Sequence, residues 1–324
     1  MKRLGLTVSG NVPLRELMPL SKDAEDVGFE SFWVHETYFM RDAITQLTAS
    51  MLSTDRIRLA TGCINPFTRH ASVVAMTMAT LDEYSPGRLI LGLGTGYPLR
   101  LNQMGLRLER PVYELERRIG EIRELLNGGQ IQKGARLMFK PPANSIPVYI
   151  GVRGESMLRM AGRVGDGYLA APAESVLSME KIVKILSSSY RASGRSDGFE
   201  VAANILTYVS PAGQEPLEVL KKDPFVIYMM AVLDNRTVLD SGFRLEDRAK
   251  VEQPYMRGML DQASANITDE LLRSFTAIGS EERVIEKLEE FRKAGVDLPV
   301  LLPIKPDRAS IRRIIELGAD YAHS

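Results

Sequence analysis

Short apolar runs alternating with helix-period segments limit the folds open to this chain more than any other feature. The runs Arg3–Val8, Ser31–Val34, Ile57–Gly62, Arg88–Leu93, Pro147–Val152, Gly167–Ala170, Glu200–Val209 and Leu298–Ile304 are nearly continuous in apolar residues. Strands buried on both faces lose the alternation of a half-exposed sheet, so these runs read as eight parallel strands. Between them lie helical patterns: Pro13 opens one with Leu17, Leu20, Ala24 and Val27 on one face, closed by Gly28. Others run over about 42–54, 71–84, 110–126, 155–164, 175–192 and 308–317, and one follows a Gly279-Ser280 start. Repeated βα units predict an α/β fold, a (βα)8 TIM barrel with insertions, ahead of an open doubly wound sheet.

A barrel core takes about 250 residues, and 324 residues leave room for insertions in a single domain spanning 1–324. A polar loop is expected over about 130–145. The alternation breaks again over 211–268, where Phe225, Tyr228, Met229, Met230, Tyr255, Met256 and Met259 cluster among short helical patterns. This segment reads as a helical insertion and a candidate substrate lid. Its methionines suit either an apolar substrate or ordinary core filling.

Lys+Arg and Asp+Glu both number 41. That balance gives no net field toward nucleic acid or an anionic membrane, so a small-molecule partner is expected. One cysteine, Cys63, excludes an internal disulfide. The N-terminus runs straight into a strand with no signal segment, and no apolar run nears the roughly 20 residues of a spanning helix; a cytoplasmic enzyme is expected. His35, His70 and His323 have no His or Cys neighbour at metal-ligand spacing, and the zinc-protease, P-loop and serine-hydrolase motifs are absent, so no metal is assigned.

The stretch Leu59–Gly96 carries the densest chemical signal, because ligands of α/β proteins sit at the carboxyl ends of the strands. Gly92-Leu93-Gly94-Thr95-Gly96 lacks the spacing of a dinucleotide fingerprint, and Tyr97-Pro98 is not expected to open a helix at once. Its glycines permit either close approach to a flat ligand or tight strand packing. Thr61-Gly62-Cys63-Ile64-Asn65-Pro66 suggests a kink or bulge, read either as a local irregularity or as a surface pressed against a cofactor ring. Cys63 reads as a buried small hydrophobe rather than a nucleophile. Arg69-His70 stands where a helix begins, a poor place for positive charge, so an acidic partner is expected in Glu36, Asp42 or a ligand. Adjacent strand residues point opposite ways, so only one of His35 and Glu36 enters the mouth. Arg153, followed by Gly154-Glu155-Ser156-Met157, joins a strand to a helix start whose free amides suit an anion.

Those motifs resemble the luciferase-like monooxygenase superfamily, and within it the coenzyme F420-dependent reductases of the methylenetetrahydromethanopterin reductase type. The likeness rests on Trp33-Val34-His35-Glu36 with Arg41-Asp42, Thr61 to His70, Ala79 to Glu83, Gly87 to Gly96, Pro147 to Gly151 and Gly162 to Gly167. It implies a barrel with insertions, a homodimer, and a flavin or deazaflavin at the strand ends. It further implies a non-prolyl cis peptide after the third strand, expected at Cys63–Ile64, and cofactor contacts at Glu36, Cys63, Ile64, Asn65, Thr95, Gly96, Arg100, Arg153, Gly154, Ser156 and Met157. Glu36 is the implied catalytic residue, and Thr37, Tyr97 and Ala171 would line the substrate pocket. Thr37 stands where many relatives place a histidine, and Tyr97 where the sugar-phosphate dehydrogenases place an acid. Both departures favour direct hydride transfer from coenzyme F420 over general-base catalysis. An FMN-dependent monooxygenase is the alternative cofactor chemistry, and a flavin-binding barrel without turnover is the alternative of a different class.

Overall fold

The structure, a computed structural model, describes residues 2–140 and 145–323, the side chains of Ala322 and His323 excepted. Part of the loop expected over 130–145, residues 141–144, lies outside the described residues. Two compact units are present: Gly5–Leu169 with Ser188–Phe199, and Met1–Leu4, Ala170–Ser187 with Glu200–Ser324.

The first unit is built from β1 (Gly5–Val8), α1 (Leu14–Asp26), β2 (Ser31–Val34), α2 (Ala43–Leu52), β3 (Arg58–Thr61), α3 (Ala71–Tyr84), β4 (Leu89–Gly94), α4 (Pro98–Gln103), α5 (Pro111–Leu126), β5 (Val148–Gly151), α6 (Glu155–Val164) and β6, which begins at Gly167 and ends at Ala170. The strands pair in parallel in sequence order, Val8 beside Val34 and Val34 beside Thr61. Farther along, Gly94 stands beside Gly151. Every residue of β1, β2 and β4 is buried, which is why these segments read as apolar runs without alternation. Trp33 fills the interior, its ring 5.8 Å from that of Tyr149 and its indole N–H donating to Ser31 Oγ at 2.8 Å.

Helix starts follow local chemistry. Asp42 accepts the Thr45 amide and caps α2; His70 Nδ1 accepts the Ser72 amide and caps α3. α4 is a correction: Pro98 opens it directly after Tyr97. Proline suits a first helical position, where its missing N–H has no intrahelical partner to lose.

The second unit comprises α7 (Val176–Ala192, its last residues falling in the first unit), β7 (Glu200–Val209), α8 (Leu217–Lys221), α9 (Pro224–Ala231), α10 (Asn235–Asp240), α11 (Leu245–Met256), α12 (Leu260–Ala265), α13 (Asp269–Ser274), β8 (Thr276–Gly279), α14 (Glu281–Lys293), β9 (Leu298–Pro303) and α15 (Arg308–His323). β7 pairs in parallel with β9 over Ala202–Thr207 and with β8 over Leu206–Val209. β8 is a strand beyond the eight expected. Its four residues follow a helix at once, too short a run to establish a period.

The segment 211–268 folds as five helices that share a core with the strands. Val226, Ile227, Met230, Val238 and Val251 pack with Leu206, Ile278 and Leu302. Met229 and Met230 are therefore core filling, whereas Met256 and Met259 are exposed.

Candidate active site at the ends of strands two to five

The candidate site lies within the first unit, where the loops after β2, β3, β4 and β5 adjoin. Its key piece is the turn after β3. Gly62 N–H still donates to Val34 O at 2.8 Å on β2, whereas Ile64 N–H donates to Gly92 O at 2.9 Å and Ile64 O accepts from Gly94 N–H at 3.0 Å. Between those anchors the backbone turns. The cis peptide is Gly62–Cys63, one residue before the expected Cys63–Ile64 bond. The physical reason is that Ile64 has already joined β4 as a bridge to Leu93, which fixes the Cys63–Ile64 peptide in the ladder.

Cys63 Sγ lies under the glycines of β4 and β5: a Cβ placed on Gly151 would stand 2.5 Å from it, and one on Gly92 3.3 Å. The residue as a whole is partly exposed. Its sulfur is enclosed, and burial pushes the thiol up to about 12, only partly offset by a Gly151 backbone contact. A protonated thiol at neutral pH is not a nucleophile, and Cys63 serves as packing.

The glycines of β4 answer to the same packing. A Cβ on Gly92 would lie 1.9 Å from Thr61 O, and Thr61 Oγ1 both donates to Gly92 O and accepts from Gly92 N–H. Gly96 has φ +74°, and a Cβ there would meet Asn65 Nδ2 at 2.7 Å and Tyr38 OH at 2.8 Å. Tight strand-end packing accounts for both positions.

Asn65 joins three loops. Its amide N–H donates to Glu36 Oε2 at 3.1 Å, its Nδ2 donates to Thr95 O at 2.8 Å, and its Oδ1 accepts from Phe67 N–H at 2.8 Å. Arg69, four residues on, donates through Nε to Glu36 Oε1 at 3.0 Å, and its Nη2 reaches Glu36 Oε1 at 2.9 Å and also Asp42. The acidic partner expected for Arg69 is thus both carboxylates. Burial disfavours the Arg69 charge, but Glu36 and Asp42 outweigh it and raise its pKa. Burial would likewise raise Asp42, but the Thr45 amide and Arg69 hold its carboxyl below the usual range. Arg118 of α5 supports the turn from behind, donating to Pro66 O at 3.0 Å with its guanidinium 5.0 Å from the Phe67 ring centre.

Glu36, Cys63, Ile64, Asn65, Thr95 and Gly96 therefore come together. Arg153 follows β5 and is half-buried; Gly154, with φ +85°, precedes α6, and no side chain caps that helix. The first-turn amides of Glu155, Ser156 and Met157 have no intrahelical acceptor. Arg100 sits on α4, exposed and donating to Gln103 Oε1 at 3.0 Å; no bond joins it to the Glu36–Asn65–Thr95 cluster among those described. Thr37 is half-buried in the loop after β2, Tyr97 is exposed at the start of α4, and Ala171 follows β6 in the second unit. Sequence reasoning passed over Tyr38 and treated Asp42 only as a partner. Burial pushes the Tyr38 phenol up, against hydrogen bonds with Asn65 and Thr68. Its signal was position alone, two residues beyond Glu36.

The family model for luciferase-like monooxygenases matches residues 1–298. The chain belongs to the luciferase-like monooxygenase family. Among relatives of this luciferase-like protein, a 5,10-methylenetetrahydromethanopterin reductase of Archaeoglobus fulgidus is 30% identical, covering 97% of each chain. One of Methanolobus tindarius is 27% identical over 94% of this chain and 95% of its own. The solved structure of a coenzyme F420 dependent tetrahydromethanopterin reductase from Methanopyrus kandleri superposes with a TM-score of 0.84 at 25% identity, covering 98% of this chain and 97% of its own. The fold is the (βα)8 TIM barrel with insertions of this luciferase-like family, and the family likeness drawn from the strand-end motifs holds.

Proposed function

We propose that the chain is a coenzyme F420-dependent oxidoreductase transferring a hydride between the deazaflavin and a small organic substrate, with methylenetetrahydromethanopterin as the candidate. The observation that carries this reading is the set of strand-end loops after β2, β3 and β4, bonded through Asn65 to Glu36 and Thr95, in a chain that matches reductases of that name over nearly its full length. Bound there, the deazaflavin supplies the hydride.

The residues present fit such a group. Thr95 and Gly96 offer an accessible strip of backbone and small side chain suited to a flat ring, with buried Ile64 and Asn65 and the Cys63 sulfur packed beneath it. The uncapped first turn of α6, at Gly154, Ser156 and Met157, offers amides to an anionic tail, with Arg153 beside it, and Arg100 adds a second cation. Glu36 is the carboxylate placed nearest this surface. Thr37, Tyr97 and Ala171 would contact substrate, and the helices of 211–268 would cover it and exclude water.

The partner is then a small molecule rather than nucleic acid, in keeping with the balanced charge, and the compartment the cytoplasm. Among the described residues no helix is long and apolar enough to cross a membrane. A homodimer is supported by α2, which contains no charged residue, and by exposed Leu52, Val73, Met76 and Tyr84 on α2 and α3. Titration of the purified protein with F420 and with FMN, followed by absorbance, tests the reading. Saturable F420 binding is expected; tight FMN binding without F420 binding overturns it in favour of an FMN-dependent monooxygenase.

A further inference from the structure

Glu36 stands at the strand-end site with both carboxylate oxygens engaged. Its side chain is only 10% exposed. One oxygen accepts the Asn65 amide and the other accepts Arg69 Nε and Nη2. All three contacts are N–H donors to carboxylate oxygens. A protonated Glu36 would turn an O–H toward a guanidinium or an amide, neither of which accepts.

The same guanidinium bonds Asp42, which is itself fixed by capping α2 through the Thr45 amide and hydroxyl at 2.8 and 2.9 Å. Arg69 is held at its other end by the turn: its own amide and that of Thr68 donate to Asn65 O at 3.1 and 3.2 Å. A single planar cation thus locks two acids of the β2–α2 loop to the turn carrying Asn65. Around Glu36 stand Arg69, Asp42 across the shared guanidinium, Tyr38, whose phenol senses the Glu36 charge, and His35 next in the chain.

We propose that Arg69 is a positioning residue that holds Glu36 as a fixed, ionised carboxylate at the strand-end site, so that Glu36 contributes a directed negative charge and not a proton. The proposal rests on the F420 reading above. It separates Arg69 from a merely structural arginine, because removing the cation leaves Glu36 and Asp42 as neighbouring acids sharing no counter-charge. Like charges in proximity raise carboxyl pKa values.

The test uses Arg69→Met, Arg69→Lys, Glu36→Gln and the Arg69→Met/Glu36→Gln double variant. With F420, Arg69→Met is expected to lose about 100-fold in kcat, the scale of a misplaced reacting group, with a smaller change in KM. Its pH–rate profile should also differ from that of wild type. Arg69→Lys, which keeps the charge and loses the fork, should restore the wild-type profile while recovering only part of kcat. The second readout is the melting temperature of the cofactor-free protein from pH 5 to pH 8. A raised folded pKa gives stability that is lost as pH rises, so Arg69→Met should lose more melting temperature than wild type over that range, and the double variant should remove the excess.

An Arg69→Met enzyme with wild-type kcat and pH profile overturns the proposal. So does an excess pH dependence of melting that survives in the double variant, since Glu36 then cannot be its source. Wild-type protein that binds neither F420 nor FMN defeats the cofactor reading alone, and the melting series still decides whether Arg69 keeps Glu36 ionised.

Discussion

Gly92 and Gly120 show how differently two glycines of one chain are constrained. At Gly92 an added Cβ would stand 1.9 Å from Thr61 O, a backbone atom that can move only if β3 and β4 part. Gly92→Ala is expected to cost about 4 kcal/mol or more, in the range reserved for severe core lesions, and to appear as a large drop in melting temperature. Gly120 lies exposed within α5 with nothing within 4 Å of its Cβ position. Gly120→Ala should stabilise by roughly 0.5–1 kcal/mol through helix propensity and reduced freedom of the unfolded chain. Equal melting shifts for the two variants would refute this account. Sequence alone gave Gly92 two readings, and the position of Thr61 O, thirty-one residues earlier in the chain, decided between them.

At the scale of elements, α1 is tied to the start of β3 by one buried carboxylate. Glu25 accepts the amides of Asp55, Arg56 and Ile57 and pairs with Lys22 at 2.8 Å. Burial alone would raise its pKa; Lys22 and the three amides reverse that and hold it at about 2. A depressed folded pKa gives stability that is present above the unfolded glutamate range and lost as pH falls toward 2. Its full size is on the order of 3 kcal/mol. Glu25→Gln should lower stability at pH 7 by roughly 1–3 kcal/mol. It should also flatten the dependence of the urea midpoint on pH between about 4.5 and 2; an unchanged slope would show that other acids carry it. The helices themselves were legible from period and punctuation, α3 to the residue. β8 and α4 were not, since four and six residues hold too little pattern to outweigh the flanking turns.

At the scale of the whole molecule, the proposed homodimer makes α2, which contains no charged residue, and the apolar side chains exposed on α3 its point of contact. Exposed Val73, Met76 and Tyr84 follow one another along α3 at helical spacing. Met76→Lys would bury an unpaired ammonium in such an interface, a cost of several kcal/mol. Light scattering should show wild type at twice the chain mass and Met76→Lys shifted toward the monomer; a wild-type monomer at micromolar concentration would remove the dimer from the proposal. The segment 211–268 belongs to this scale too. Its extent was visible as a break in alternation, but its anchoring through Met230 and Val251 to strand residues Leu206 and Ile278 was not, because contacts between distant segments leave no local period.

The sequence by itself determined the alternation of buried parallel strands and amphipathic helices, the strand ends as the place for chemistry, and the family likeness, all of which are written in local pattern and motif. Tertiary structure decided which peptide turns after β3, because Ile64 is claimed by the β4 ladder. It decided also that Glu36, Arg69 and Asp42 form one unit. Those relations depend on distances between residues far apart along the chain, and no spacing or composition encodes them.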